Sequence, residues 1–349
     1  MSKEKILVAL SGGVDSAVTT LMLLRQGYDV ETCYLDFLDE DLSKADNARN
    51  IASYLNIPFH VVRGHHEFSE KVLNYFFKEY LAGRTPNPCA LCNRVFKFSQ
   101  MICKANELNI NLIATGHYAR IEKQDGQSYL LRGTDSKRDQ SYFLFNLTQE
   151  QLSRTLFPIG HLSKDKIRDI ARENGLPCAK TPDSQDICFL AKDDSYQSFI
   201  NRHCDSTSYQ PGDIRDVSGN LIGTHKGLPF YTVGQRRGLY LDRGGPWFVV
   251  KLEPENNTLV VGKHGDLFSR GLLCLRPNWI TSQPAFPFHA KCMIRYRQKA
   301  FDCDVYDDAG EYLRVEFTEP QASVTPGQAI VFFQEDVVFG GAWIKNHIK

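Results

Sequence analysis

Along the first third of the chain, short apolar runs alternate with stretches whose apolar residues recur every three or four positions. Residues 5–10 (KILVAL) form one such run, as a strand buried on both faces requires. A helix follows to about residue 26, and Gly27 is a natural stop. Residues 30–37, 58–63 and 112–116 read as further strands, and 43–56, 67–81 and 93–108 as helices. This alternation predicts a doubly wound α/β domain on a parallel sheet. Residues 163–175 predict a capped helix, with Ser163 at the N-cap, Asp165 in the first turn and Gly175 past the end. After about residue 205 the period changes. Turn signals recur at Pro211-Gly212-Asp213, Ser218-Gly219-Asn220, Gly244-Gly245-Pro246 and Glu255-Asn256-Asn257, with β-branched and aromatic runs between them. From residue 272 the pattern is almost wholly strand-like. The expected organisation is an α/β domain over 1–204, a small central β-rich domain over 205–271 and a C-terminal β-barrel over 272–349.

Composition narrows this picture only slightly. The 349 residues exceed a single core, and 42% apolar with 23% charged residues is ordinary for a soluble globular protein. The formal net charge is zero, so a nucleic-acid surface would have to be a local patch. No apolar run is long enough to span a bilayer, and Met1-Ser2-Lys3-Glu4-Lys5 leads straight into a strand without a signal-peptide pattern. A cytoplasmic protein without a membrane partner is expected. Ten cysteines in such a chain do not predict a disulfide scaffold. Cys33, Cys274, Cys292 and Cys303 sit in strand-like runs and are expected to be small buried hydrophobes.

The junction of the first strand and helix carries Ser11-Gly12-Gly13-Val14-Asp15-Ser16. Two glycines allow backbone angles that expose consecutive N–H groups, and the helix N-terminus adds partial positive charge. Ser11 and Ser16 supply hydroxyl donors for phosphate, and Asp15 suits the first turn and could also hold Mg²⁺. A two-glycine turn alone would mark no more than a helix cap. The full string at this junction points to phosphate. The Walker A pattern is missing, so transfer of the γ-phosphoryl group is not indicated. The string resembles the PP-loop of the ATP pyrophosphatases, which implies cleavage of ATP between the α and β phosphates and adenylation of a carbonyl oxygen.

The second constellation is GRTPNPCALCN over residues 83–93, placed between two helices. Its prolines predict a rigid loop, and Cys89 and Cys92 form a C-x-x-C, a spacing shared by redox, zinc and iron–sulfur sites. A third cysteine, Cys188, follows Asp183 in DSQDICF over 183–189. No second tight pair completes a structural zinc site.

Residues 83–98 (GRTPNPCALCNRVFKF), 114–118 (ATGHY), 139–143 (DQSYF), 183–189, 225–239 (HKGLPFYTVGQRRGL), 295–298 (RYRQ) and 325–328 (TPGQ) together resemble the tRNA-specific 2-thiouridylase family. The resemblance implies adenylation of uridine 34 at the tRNA wobble position with ATP and Mg²⁺, then replacement of the C2 oxygen by sulfur. It implies that Cys188 carries a persulfide, and that Cys92 either frees the sulfur as hydrosulfide or forms a disulfide with Cys188. Both thiols are then expected near positive charge or a helix N-terminus, and Arg94 and Lys97 follow Cys92. For ATP it points to Ala9, Leu10, Ser11, Gly12, Gly13, Val14, Asp15, Ser16, Leu35 and Gly116. For tRNA it points to Asn87, Pro88, Cys89, His117, Arg138, Asp139, Gln140, Arg295, Tyr296 and Gln328. The implied partners are tRNAs for Lys, Glu and Gln and a sulfur relay protein or cysteine desulfurase, with the chain acting as a monomer.

The resemblance has one departure. Many members carry Asp where this chain has Cys89, and that Asp is the proposed acid–base or positioning group. Cys89, Cys92 and Cys188 together could instead hold a [4Fe–4S] cluster, as in related thiolation enzymes. Two other functions compete. An amidating PP-loop synthetase would need an ammonia source, and no glutaminase-like module is visible. A non-catalytic RNA-binding protein would leave the intact loop and thiols without a use.

Overall fold

Ile6, Leu7 and Val8 of β1 (Lys5–Ala9) are fully buried, as a strand covered on both faces must be. The computed structural model describes residues 3–38, 42–183, 187–190, 194–241, 245–308 and 310–349. Ser184, Gln185 and Asp186 of the expected 183–189 motif, and Gly244 of an expected turn, lie outside the described residues. Chain contacts divide the molecule into two units. The first takes the chain up to Val72, Cys89–Phe189 and Gln334–Gly340; the second takes Leu73–Pro88, Leu190–Phe333 and Gly341–Lys349.

In the first unit β1 is the middle of a parallel sheet completed by β2 (Asp29–Asp36), β3 (Phe59–Arg63), β4 (Leu112–Ala114) and, after the hairpin β5 (Ala119–Gln124) and β6 (Gln127–Arg132), the short β7 (Thr155–Leu156). The order is β3-β2-β1-β4-β7, all parallel. Chain direction across the sheet reverses between β1 and β4. The crevice at their carboxyl ends is where such sheets bind ligands. The helices Val14–Arg25, Leu42–Tyr54 and Lys164–Glu173 meet in one core through Val14, Ala17, Val18, Ile51, Ile167 and Ala171. The capped helix forms as expected: Ser163 Oγ accepts from Lys166 N at 3.3 Å, and Gly175 takes φ +59°.

Two local expectations change. The C-x-x-C was expected in a rigid loop, yet Pro88–Cys92 is helical. Proline suits a first helical position, where its missing N–H has no partner to lose. The helix then runs through a wide π-type turn, Asn93–Lys97, into Phe98–Glu107. The Arg94 carbonyl in that wide turn accepts from Ser99 Oγ at 2.8 Å and Gln151 Nε2 at 2.8 Å. The hairpin of β5 and β6 was not anticipated. Its signal was Asp125-Gly126, both left-handed at φ +51° and +76°, between alternating runs.

The second unit is β-rich. β8 (Gly212–Asp216), β9 (Leu221–His225), β10 (Phe248–Glu253) and β11 (Thr258–Gly262) form a sheet in the order β10-β11-β8-β9, over a core of Ile214, Tyr231, Leu239, Val249, Leu259 and Val261. β12 (Phe268–Leu275), β13 (Phe288–Met293), β14 (Phe301–Asp307), β15 (Tyr312–Ala322), β16 (Ala329–Gln334) and β17 (Val337–Ile348) follow. β12 pairs with both β15 and β17, which closes these six into a barrel. Cys33, Cys274, Cys292 and Cys303 are buried, as expected of small apolar side chains. Among the described residues no helix is long and apolar enough to cross a membrane.

Candidate active site

The phosphate loop sits at the carboxyl end of β1, in the crevice beside β4. Gly12 is left-handed at φ +82° and Gly13 caps the helix. Ser16 Oγ accepts from Ser11 N at 3.2 Å and donates to Gly13 O at 3.0 Å, which fixes the turn. The first N–H groups of Val14–Arg25 have no partner within their own helix, as at any helix start, and such groups suit an anion. Gly116, just past β4, closes the other side. A Cβ there would lie 2.9 Å from Ser16 N, so only glycine allows the approach. Leu35, at the end of β2, is buried. Backbone donors, two hydroxyls and a glycine-only approach fit the phosphate end of ATP. Asp15 offers the hard oxygen that Mg²⁺ prefers.

Asp15 is the start of a charge network. Its carboxylate accepts from Tyr118 Oη at 2.6 Å and from Lys164 Nζ at 2.8 and 2.9 Å. Lys164 is buried, and its ammonium also reaches Asp183 at 2.8 Å. Asp183 further pairs with Arg168 at 2.6 Å and Arg138 at 3.0 Å. Burial raises the Asp183 carboxyl, but Lys164, Arg168 and Arg138 outweigh it and hold its pKa below the ordinary value. The network therefore runs from the phosphate loop to a residue five positions before Cys188. Sequence reasoning gave Lys164, Tyr118, Arg168 and Asp183 no individual role. Lys164 and Asp15 are 149 positions apart, so no local spacing announces their pair.

The three thiols belong to the same unit. Cys89 and Cys92 are one helical turn apart on one face, Cys92 buried and Cys89 partly so, while Cys188 is exposed. Cys188 is close enough for its charge to act on both Cys89 and Cys92. Burial pushes Cys89 up to about 12, Cys188 adds to the rise and Lys97 opposes it. Burial likewise pushes Cys92 up to about 12, against Lys97. The expected cation is present, but desolvation overrides it, and both groups are protonated at neutral pH. Arg94 is turned to Asn146 at 2.9 Å. Among the described residues no group of three His, Cys, Asp or Glu side chains converges as a metal site.

Most other expected tRNA residues have structural employment. Asp139 accepts from Gly133 N and Ser141 N at 3.0 Å each and pairs with Arg132 at 2.9 Å. Gln140 Oε1 accepts from Tyr118 N at 3.0 Å. His117 Nδ1 lies 2.6 Å from Thr115 Oγ1 and the ring stacks on Phe98; burial, aided by Lys97, holds its pKa far below the ordinary value, so it is neutral. In the second unit Gln328 Nε2 donates to the carbonyls of Thr85 and Pro86 at 3.0 and 2.9 Å and so pins the approach to Asn87 and Pro88. Arg295 Nη2 donates to Val233 O, Ser323 O and Thr325 Oγ1 at 2.7–3.0 Å. Tyr296 carries the Arg297 guanidinium over its ring at 5.3 Å.

Three family models match consecutive stretches: "tRNA methyl transferase HUP domain" over residues 4–192, "tRNA methyl transferase PRC-barrel domain" over 197–263 and "Aminomethyltransferase beta-barrel domain" over 269–344. Relatives named tRNA-specific 2-thiouridylase MnmA match nearly end to end. The protein from Syntrophotalea carbinolica is 44% identical over 98% of this chain and 99% of its own. That from Heliobacterium modesticaldum is 45% identical over 99% and 94%. That from Acetivibrio thermocellus is 43% identical over 99% and 100%. With a PP-loop at the switch point of a parallel sheet and full-length similarity at this level, the chain belongs to the tRNA-specific 2-thiouridylase MnmA family.

Proposed function

We propose that this protein is an ATP-dependent tRNA 2-thiouridylase that acts on uridine 34 in the cytoplasm, with Cys188 as the persulfide carrier. The observation that carries the reading is the charge network from Asp15 through Lys164 to Asp183, which ties the ATP-activating loop to the segment of Cys188. It also favours thiolation over the methyl transfer in the family-model descriptions, since methyl transfer has no use for an adenylating loop.

In the first half-reaction the uridine C2 oxygen attacks the α-phosphorus of ATP, and pyrophosphate leaves. Adenylation turns a poor leaving group into AMP. Loop donors and Lys164 meet the charge that develops on the phosphates, and Mg²⁺ at Asp15 would supply further charge stabilisation. In the second half-reaction the terminal sulfur of a Cys188 persulfide attacks C2 and AMP departs with the former oxygen. Cys92 then attacks Cys188 Sγ, and its thiol proton passes to the thiouridine that is released. The sulfur–sulfur bond breaks toward the base, leaving 2-thiouridine and a Cys92–Cys188 disulfide that an external thiol reduces.

The test combines the protein with ATP, Mg²⁺, a cysteine desulfurase with cysteine, and unmodified tRNA of the Lys, Glu or Gln type. Nucleoside analysis should find 2-thiouridine at position 34, and intact mass should find one added sulfur on Cys188 without stoichiometric iron. Absence of 2-thiouridine in air and under anaerobic conditions defeats the reading. Stoichiometric iron that disappears in Cys89→Ser moves the sulfur chemistry to a cluster.

A further inference from the structure

The loop from Thr232 to Leu241 in the second unit is held unusually firmly for a surface connection. Gly234 N donates to Val249 O at 2.8 Å, and Val249 N donates to Gln235 O at 2.9 Å. The Gln235 side chain braces the loop from within: its Oε1 accepts from Thr232 N at 3.1 Å, and its Nε2 donates to Arg237 O at 2.9 Å. Arg295 reaches Val233 O at 3.0 Å. Three residues within seven are left-handed: Gly234 at φ +88°, Gly238 at +78° and Tyr240 at +49°. That conformation is natural for glycine and costly for an aromatic residue, so the ring of Tyr240 is placed at the expense of backbone strain.

The strain does not serve burial. Tyr240 is 83% exposed, far more than a tyrosine that contributes to a core. It stands on the rim of an open groove of about 820 Å³ whose floor includes Ile222, Leu241 and Trp247. Lys226 Nζ lies 5.6 Å from the Tyr240 ring and Lys263 Nζ 3.8 Å from the Trp247 ring. Arg236 and Arg237 of the same loop are exposed. Among the described residues that line the groove, none is acidic. In a chain of zero net charge, an exposed aromatic ring with Lys226 beside it, on a loop that also exposes Arg236 and Arg237, is complementary to a polyanion whose bases present π faces.

We propose that this loop is a preorganised RNA platform on which Tyr240 stacks an unpaired tRNA base while Lys226, Arg236 and Arg237 hold the flanking phosphates. Holding the ring outward in advance removes much of the ordering cost of binding. The proposal rests on tRNA being the substrate and adds where, away from the thiols, the RNA is gripped.

The experiment compares Tyr240→Gly, Tyr240→Phe and the double variant Arg236→Ala/Arg237→Ala with the parent. It reads melting temperature, affinity for an unmodified tRNA transcript across a salt series, and persulfide loading of Cys188 by a desulfurase. Tyr240→Gly should lose about tenfold in tRNA affinity, because base stacking is the lost term. Its melting temperature should hold or rise, because glycine relieves the left-handed strain. Tyr240→Phe should bind within about twofold of the parent, since the π face remains. The double arginine variant should lower the slope of log affinity against log salt by about one to two. Unchanged tRNA affinity in Tyr240→Gly overturns the proposal, as does an equal loss in Tyr240→Phe. Slower persulfide loading with intact tRNA binding assigns the surface to a protein partner and overturns it as well. If the parent makes no 2-thiouridine, the functional reading fails, while the binding comparison still judges the platform.

Discussion

The phosphate loop and the thiol group lie in one unit but are prepared to different degrees. In the loop each constraint is in place: Ser16 fixes the turn, Gly116 leaves room, and Asp15 and Asp183 share a buried ammonium. At the thiols, Cys89 and Cys92 are held as thiols with pKa values pushed up to about 12, and Cys188 is exposed. A site that activates ATP has to be preorganised before the substrate arrives. A site that carries reactive sulfur gains by keeping its resolving thiol protonated until the activated base is present. On the proposed mechanism, the contrast is between an activation half that is ready and a sulfur half that waits.

The largest effect should follow loss of Cys188. Cys188→Ser should lower 2-thiouridine formation by at least about a thousandfold, as removal of a covalent carrier does. Pyrophosphate release on unmodified tRNA should continue. Retained thiolation would erase the proposed division of labour. Alkylation tests the waiting half directly. At pH 8 iodoacetamide should modify Cys188 at least about a hundredfold faster than Cys92, because a thiol with pKa near 12 exposes little thiolate there. Peptide mapping separates both from Cys103, which is also exposed. Equal rates would mean that Cys92 is already activated.

Lys164→Met tests the link between the halves. It leaves Asp15 and Asp183 without their shared cation, so kcat/KM for ATP should fall by roughly 10- to 100-fold, the size of a lost charge-stabilising donor. Stability should drop by about 1–3 kcal/mol, less than for a fully buried pair because Asp15 keeps solvent contact. The smallest effect concerns acid. The folded pKa of Asp183 lies below its unfolded value. Its contribution to stability is therefore complete above the ordinary carboxylate pKa of about 3.9 and is lost as pH falls through the lower folded value. The stability difference between the parent and Asp183→Asn should shrink over that window. A difference independent of pH would place the role of Asp183 in hydrogen-bond shape instead of charge.

The parallel sheet, the phosphate loop and the capped helix were legible because each is written in consecutive residues. The barrel was legible as a class, from its strand-like texture after residue 272. The Asp125-Gly126 hairpin was equally local and was passed over. Lys164 was out of reach for a physical reason: its importance lies in carboxylates from a loop 149 positions earlier and a segment 19 positions later. The C-x-x-C was found, but the rule that prolines break helices misled, since Pro88 starts one. Arg295 and Gln328 stood in conspicuous motifs, and Arg295 Nη2 and Gln328 Nε2 donate to backbone carbonyls of their own unit.

The most direct test of the central claim follows one oxygen. Unmodified tRNA with ¹⁸O at C2 of uridine 34 is thiolated under single-turnover conditions, and the phosphates are analysed by mass. Adenylation by the loop predicts one ¹⁸O in AMP for each 2-thiouridine formed, with none in pyrophosphate. Label in pyrophosphate or released as water would contradict activation at the α-phosphorus.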